Sequence, residues 1–389
     1  IGAAEWEAGH VRDVLQFYAA APERLSGKQI PVAGGLDVTI HEPLGVVGII
    51  TPWNFPMPIA SWGFAPALAA GNAVLVKPAE WTPLTTLRIG ELAVEAGLDP
   101  DLFQVLPGRG SVIGDRFVTH PDVRKVVFTG STEVGARVGE IAGRTIKKVA
   151  LELGGKSANV ILNGADLATA VKVGVGNAFL NGGQTCIALS RLVVPQALHA
   201  KALEIAADEA AKFKLGDPMD KATTMGPMAF AGHRDRVRQF IRDAQASSAQ
   251  LVCGGAEQPK DLPQGYFVSP TIFGNVDPQS VLAQQEVFGP VLAVIPARDE
   301  DHAVEIANGT IYGLNGAVWS SDLDHAVAIG RRLRCGKVDI NGGGFNMNAP
   351  AGGFKQSGIG RERGRYGLEE YLEVKALQFN NEELAIKAP

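Results

Sequence analysis

Short runs of β-branched and other apolar residues alternate with longer stretches of helical spacing from Leu44 onward. That alternation predicts strands joined by helical crossovers in a parallel sheet. Val46-Val47-Gly48-Ile49-Ile50 reads as a strand buried on both faces, ended by Thr51-Pro52 and followed by a helix from about Pro58. The pattern repeats with strands at 73–76, 103–106 and 125–128, helices at 83–96 and 132–142, and a closing strand at 147–153. A second alternating unit begins at Ala158-Asn159-Val160-Ile161-Leu162. It continues with helices at 167–179, 198–213 and 233–246, then strands at 291–295, 317–319 and 337–340. The paired glycines Gly154-Gly155 make a natural hinge between the two units. Outside both lie a helical stretch at 5–20 and two strand-like segments, 36–41 and 372–379. Unclaimed strands at the flanks suit pairing with a second subunit, so a homodimer or homotetramer is expected.

Composition narrows the function. The 389 residues are 46% hydrophobic and 20% charged, enough for more than one sizeable core. A net charge of −5 gives no bulk attraction to nucleic acid or to an anionic membrane, and no apolar run approaches a membrane span. Cys186, Cys253 and Cys335 form neither an even disulfide set nor a CxxC pair, which points to a reducing, cytoplasmic setting and away from a metal site. The chain starts at Ile1 without methionine or signal-peptide pattern, as though part of a longer helix preceded it.

One cysteine stands apart. In Gly182-Gly183-Gln184-Thr185-Cys186 a glycine pair lets the backbone fold tightly around whatever the sulfur attacks. A thiol in that setting becomes a nucleophile once a base takes its proton; alone, it would more often be a small buried hydrophobe. Thr51-Pro52-Trp53-Asn54-Phe55-Pro56 follows a buried strand, at the end of a parallel sheet where ligands bind, and Asn54 offers an amide donor for an oxyanion or a turn cap. Lys77-Pro78-Ala79-Glu80 places a cation and a carboxylate after a strand, suited to ribose hydroxyls or to a solvated surface pair. Phe128-Thr129-Gly130-Ser131-Thr132 runs from strand into helix and offers free N–H groups to a phosphate. Glu152 in Glu152-Leu153-Gly154-Gly155-Lys156 is either a structural partner or a base with a pKa raised by burial, and Glu286 with Phe288 adds a second carboxylate beside a ring.

Taken together, TPWNFP, KPAE, FTGST, ELGGK, GGQTC, EVFGP and GGFKQSGIGRE, in this order over nearly the whole chain, closely resemble the aldehyde dehydrogenase superfamily. The resemblance implies an α/β fold with a Rossmann-type dinucleotide-binding domain over 1–153, carrying an inserted oligomerisation strand at about 36–42. A catalytic α/β domain over 154–355 and a return segment with a C-terminal oligomerisation strand over 356–389 complete it. It implies Cys186 as nucleophile, Glu152 as the base that activates water, Asn54 as oxyanion donor, and Glu362 as a further glutamate near the active site. Thr51, Pro52, Trp53, Lys77, Glu80, Gly130, Ser131, Gly154, Glu286 and Phe288 fall to the cofactor. Having both Cys186 and Glu152 favours oxidation of an aldehyde to its acid over transfer of the acyl group to coenzyme A; a family member without activity is the other alternative. Glu80 would accept from a ribose 2′-hydroxyl and repel a 2′-phosphate, so NAD is expected before NADP.

Three departures from the family pattern shape the expected substrate. Gly63 follows Trp62 where many relatives have a lysine that assists the base, so a water is expected in its place. Pro350-Ala351-Gly352-Gly353 replaces Pro-Phe-Gly-Gly and removes an aromatic wall, which predicts a pocket for a bulky aromatic or branched aldehyde lined by Phe55, Trp62 and Phe345. The family's usual N-terminal stretch of the dinucleotide-binding domain is absent.

Overall fold

A computed structural model describes residues 1–380; the expected return segment therefore lies within the described residues only up to Asn380. Three sheets organise the chain. The first has six strands in the order Gly358–Ile359, Lys148–Glu152, Val123–Thr129, Val46–Ile50, Ala73–Lys77, Phe103–Val105. All pairs are parallel except the outermost, where Gly358 and Ile359 run antiparallel to Glu152 and Leu151. The chain builds outward from Val46–Ile50 in one direction, then returns to pair Val123–Thr129 on its other side. A crevice forms beyond the strand ends at such a reversal. Thr51 to Asn54 and Gly130-Ser131 both follow strands that flank it.

A seven-stranded sheet runs Gln250–Cys253, Thr271–Gly274, Val291–Ala297, Arg191–Pro195, Ala158–Ile161, Asn315–Trp319, Lys337–Ile340. Only the first pair is antiparallel. Ala158–Ile161 and Asn315–Trp319 are buried at every position, as expected of strands covered on both faces. A small third sheet pairs Gly35–Pro43 with Gln29–Val32 on one side and with Leu372–Asn380 on the other, in continuous register from Leu372 opposite Pro43 to Asn380 opposite Gly35. The two flanking strands expected from sequence thus pair with each other within one chain.

Helices lie where the apolar spacing placed them, within a few residues: Pro56–Ala69, Leu84–Glu95, Thr132–Gly143, Leu167–Ala178, His199–Ala210 and Ala231–Gln245. Pro56 opens its helix two residues before the expected start, since proline at the first turn forfeits no hydrogen bond. Gly2–Ala19 is a helix that buries Val14 and Tyr18 against the six-stranded unit. Among the described residues no helix is long and apolar enough to cross a membrane.

Candidate active site

The turn before Cys186 is bent by three successive left-handed residues, Asn181, Gly182 and Gly183, with φ of 52, 63 and 72°. A side chain at Gly183 would lie 2.0 Å from the Gly289 carbonyl oxygen, so glycine is required there on two counts. Gln184 locks the turn, donating from Nε2 to the Asn181 carbonyl at 2.9 Å and accepting at Oε1 from the Ala229 N–H at 3.0 Å. The Cys186 carbonyl packs against Gly155, where a Cβ would approach within 2.3 Å. Cysteine and hinge are therefore in direct contact.

Asn54 is tied to the same turn. Its Nδ2 donates to the Gln184 carbonyl at 3.0 Å, and its own carbonyl accepts from Asn181 Nδ2 at 3.0 Å. One Nδ2 hydrogen remains for another acceptor, and Oδ1 is buried with no partner among the described residues. Asn54 is thereby fixed beside the Cys186 turn with donor capacity in reserve.

Glu152 ends its strand with Oε1 buried and unpartnered, closely faced by Gly352, whose added Cβ would sit 2.9 Å away. Burial, reinforced by Glu362, pushes its carboxyl well above the ordinary range, against the opposing pull of Arg361 and Arg363. Glu362 is also buried, with an unpartnered Oε1 and a pKa raised by burial. Its backbone exchanges both hydrogen bonds with Ala351, at 2.8 Å each. Burial and the carboxylates of Glu286 and Glu152 push the Cys186 thiol up to about 12, so the resting sulfur is protonated and needs a base to attack.

The cofactor candidates form a second group, drawn from both units and meeting at Gly154-Gly155. Lys77 is buried and donates from Nζ to the carbonyls of Pro78 and Gly108, at 2.6 and 3.2 Å. Glu80, exposed, accepts from the Gly110 N–H at 3.1 Å, so the pair embraces one loop. Gly130 donates to the Glu152 carbonyl at 3.0 Å, and Ser131 caps the helix Thr132–Gly143 by accepting from the Val134 N–H. Thr51 is buried with its N–H on the Lys77 carbonyl at 3.1 Å; Pro52 follows it. Glu286 accepts from the Gly155 N–H at 2.8 Å, and burial pushes its carboxyl up to about 7. A Cβ on Gly154 would strike Glu286 Oε2 at 2.6 Å. Phe288, at φ 60°, meets Trp53 edge-on at 5.5 Å. Beneath this group lies Lys156, a buried amine without a hydrogen-bond partner that burial pushes down to about 7; the sequence alone did not single it out.

The expected pocket walls also meet. Trp62 Nε1 donates to His10 Nε2 at 2.9 Å, His10 lies 5.2 Å from Phe345 and 5.0 Å from Trp6, and Trp6 lies 6.3 Å from Phe55. Trp6 and His10 come from the first helix, which carried no motif. Phe345 is 54% exposed, a rim residue more than an inner wall. Gly63 faces Ile49, where an added Cβ would sit 3.0 Å from two of its carbons. Arg363, which the sequence did not single out, lies in the charged run Arg361-Glu362-Arg363-Gly364-Arg365, where only Arg365 of the three arginines is exposed.

With this geometry in place, comparison with known proteins is informative. The model of the "Aldehyde dehydrogenase family" matches residues 1–377. A 3-succinoylsemialdehyde-pyridine dehydrogenase from a Pseudomonas species is 45% identical, over 88% of this chain and 72% of its own. Geranial dehydrogenase from Castellaniella defragrans is 43% identical, over 95% and 77%. Among solved structures, a mutant of aldehyde dehydrogenase C from Pseudomonas syringae, in complex with NAD+ and octanal, superposes with a TM-score of 0.92 at 39% identity, covering 95% of this chain and 76% of that one.

Proposed function

The chain belongs to the aldehyde dehydrogenase family, and from that premise we propose that it oxidises a bulky aromatic or branched aldehyde to its carboxylic acid with NAD, through a thioester on Cys186. The observation that carries the reading is the lock between Asn54 and the Cys186 turn, an amide donor held at 3.0 Å from the Gln184 carbonyl, two residues before the sulfur. The Cys186 thiol gives its proton to water and the sulfur adds to the aldehyde carbon; the carbonyl electron pair moves onto oxygen, and that oxyanion accepts hydrogen bonds from the free Asn54 Nδ2–H and the Cys186 N–H. NAD, when bound, supplies the acceptor for the hydride. Collapse leaves the acyl group on sulfur, and Glu152, once ionised, draws a proton from water that attacks it.

The residues present fit NAD. A glycine at 154 is required by the approach of Glu286, and the helix at Thr132–Gly143 opens with its N-terminus beyond the strand ends. Lys77 and Glu80 would hold the adenosine ribose, Gly130 and Ser131 the pyrophosphate, Glu286 and Phe288 the nicotinamide ribose, with Thr51, Pro52 and Trp53 flanking the ring. Glu80 favours NAD over NADP. The missing aromatic side chain at Ala351, together with a pyridine-bearing and a branched substrate in the names of two relatives, supports a bulky aldehyde. The exposed Val374, Leu377 and Phe379 on the outer strand of the small sheet support an oligomer built on that edge. Three free cysteines support a reducing, cytoplasmic setting.

The test is NADH absorbance with NAD and a panel of short aliphatic, long aliphatic and aromatic aldehydes, without coenzyme A and beside Cys186→Ala. Steady NADH and acid from wild type, none from the variant, and the best kcat/KM on bulky members are expected. Dependence on coenzyme A, or turnover by the variant, overturns the reading.

A further inference from the structure

Arg363 is a buried guanidinium with nothing to hold. It is 8% exposed, its Nε has no partner, and its side chain makes no hydrogen bond or ion pair among the described residues. Its neighbours in sequence behave otherwise: Arg361 donates to the Gly353 and Gly360 carbonyls, and Arg365 pairs with Glu369 at 2.6 Å. The backbone turns Arg363 inward at a cost. Its φ is 66°, a left-handed conformation unfavourable for a side-chain-bearing residue, and Gly364 beside it cannot take a side chain without meeting the Asn348 carbonyl at 2.3 Å.

What the guanidinium does meet is aromatic. It lies over the Phe345 ring at 4.7 Å and the Trp62 ring at 5.4 Å, two of the walls around the expected aldehyde. Cation–π contacts return far less than desolvating a charge costs, and they leave the buried Nε–H unused. The nearby carboxylates of Glu362 and Glu152 feel its charge without forming an ion pair with it. The natural complement of an unsatisfied planar fork in an aromatic cleft is a carboxylate.

We propose that Arg363 anchors a carboxylate on the far end of the aldehyde, so that preferred substrates are aldehydes that also carry a carboxylate, while those with a permanent positive charge are rejected. The inference rests on the aldehyde-oxidising reading above and names the substrate class of that site.

The experiment compares kcat/KM with NAD for 4-carboxybenzaldehyde, benzaldehyde and 4-(trimethylammonio)benzaldehyde, and for succinic semialdehyde against butanal, in wild type, Arg363→Lys and Arg363→Leu. Wild type should favour each carboxylate over its neutral counterpart and turn over the cation least. In Arg363→Leu the carboxylate-to-neutral ratio should fall on the order of 100-fold, mainly through KM, and the cation should gain; Arg363→Lys should keep part of the preference. A wild-type ratio near one overturns the proposal, and that measurement needs no variant to fold. An equal loss on all aldehydes with unchanged ratios also overturns it and assigns Arg363 to Glu152 and Glu362 instead. If wild type makes no NADH with any aldehyde, the activity reading fails, and calorimetry of 4-carboxybenzoate against wild type and Arg363→Leu decides the anchor: binding lost in the variant supports it, equal or no binding overturns it.

Discussion

The residues proposed for the cofactor and those proposed for the aldehyde treat their polar groups in different ways. On the cofactor side Lys77, Glu80 and Glu286 each already have a backbone partner, at Gly108, Gly110 and Gly155. Thr51 Oγ1 and Lys156 Nζ are exceptions. On the aldehyde side Asn54 Oδ1, Glu152 Oε1, Glu362 Oε1 and Arg363 Nε are all buried without partners. A buried polar group left unmatched costs about 1–3 kcal/mol, so the aldehyde side holds a reserve of interactions open to water or to a reacting molecule. The cofactor side resembles a mould, already set by main chain; the aldehyde side is held open for bonds that form during the reaction.

The largest effect expected from that contrast comes from Glu152. Glu152→Gln should lower steady turnover ~1,000-fold yet leave a burst of about one equivalent of NADH, because acylation precedes the step that needs its base; rapid-mixing absorbance separates the two phases, and an absent burst would give Glu152 an earlier role. Next is Glu80→Gln on the preset side, which should raise the KM for NAD about 10-fold and narrow the preference over NADP while kcat holds, since ribose contacts bind ground and transition states alike. Ala351→Phe should lower kcat/KM for aromatic aldehydes about 10-fold more than for acetaldehyde; equal losses would mean the wall is elsewhere.

The smallest effect is on stability. Glu286 has a folded pKa near 7 against 4.5 for the free group, raised by burial. A carboxyl raised on folding stabilises fully below the unfolded value and loses that contribution as pH rises through the folded one. The cofactor-free protein should therefore lose stability from about pH 4.5 to 7, and Glu286→Gln should remove on the order of 2 kcal/mol of that slope in urea titrations. An unchanged slope would place the burial cost elsewhere.

How much of this was visible in the chain follows from what each residue buries. Val46–Ile50 could be read directly, because a strand covered on both faces is an unbroken apolar run. Arg191–Pro195 escaped notice because it opens with an arginine, which is satisfied inside by the carbonyls of Lys156, Ile306 and Ala307 at 2.7–2.8 Å. Gln250–Cys253 is a partly exposed edge strand, and the helices Glu300–Asn308 and Leu323–Gly330 were missed although Asp299 and Asp322 cap them. Motifs pointed to Cys186, Glu152 and the residues proposed for the cofactor. They could not find Trp6, His10 or Arg363, whose placement depends on long-range packing and, for Arg363, on an unusual backbone angle.

The antiparallel contact of Gly358–Ile359 with Glu152 and Leu151 has a consequence for how the protein is made. The strand that carries Glu152 is closed on its outer side by residues synthesised some two hundred positions later, and Leu372–Asn380 must likewise travel back to Gly35–Pro43. Pairings so distant in sequence form slowly and late. On the ribosome, the pocket around Glu152 therefore stays unassembled until almost the whole described chain has emerged, and a nascent chain can hold its thiol long before it holds the means to use it.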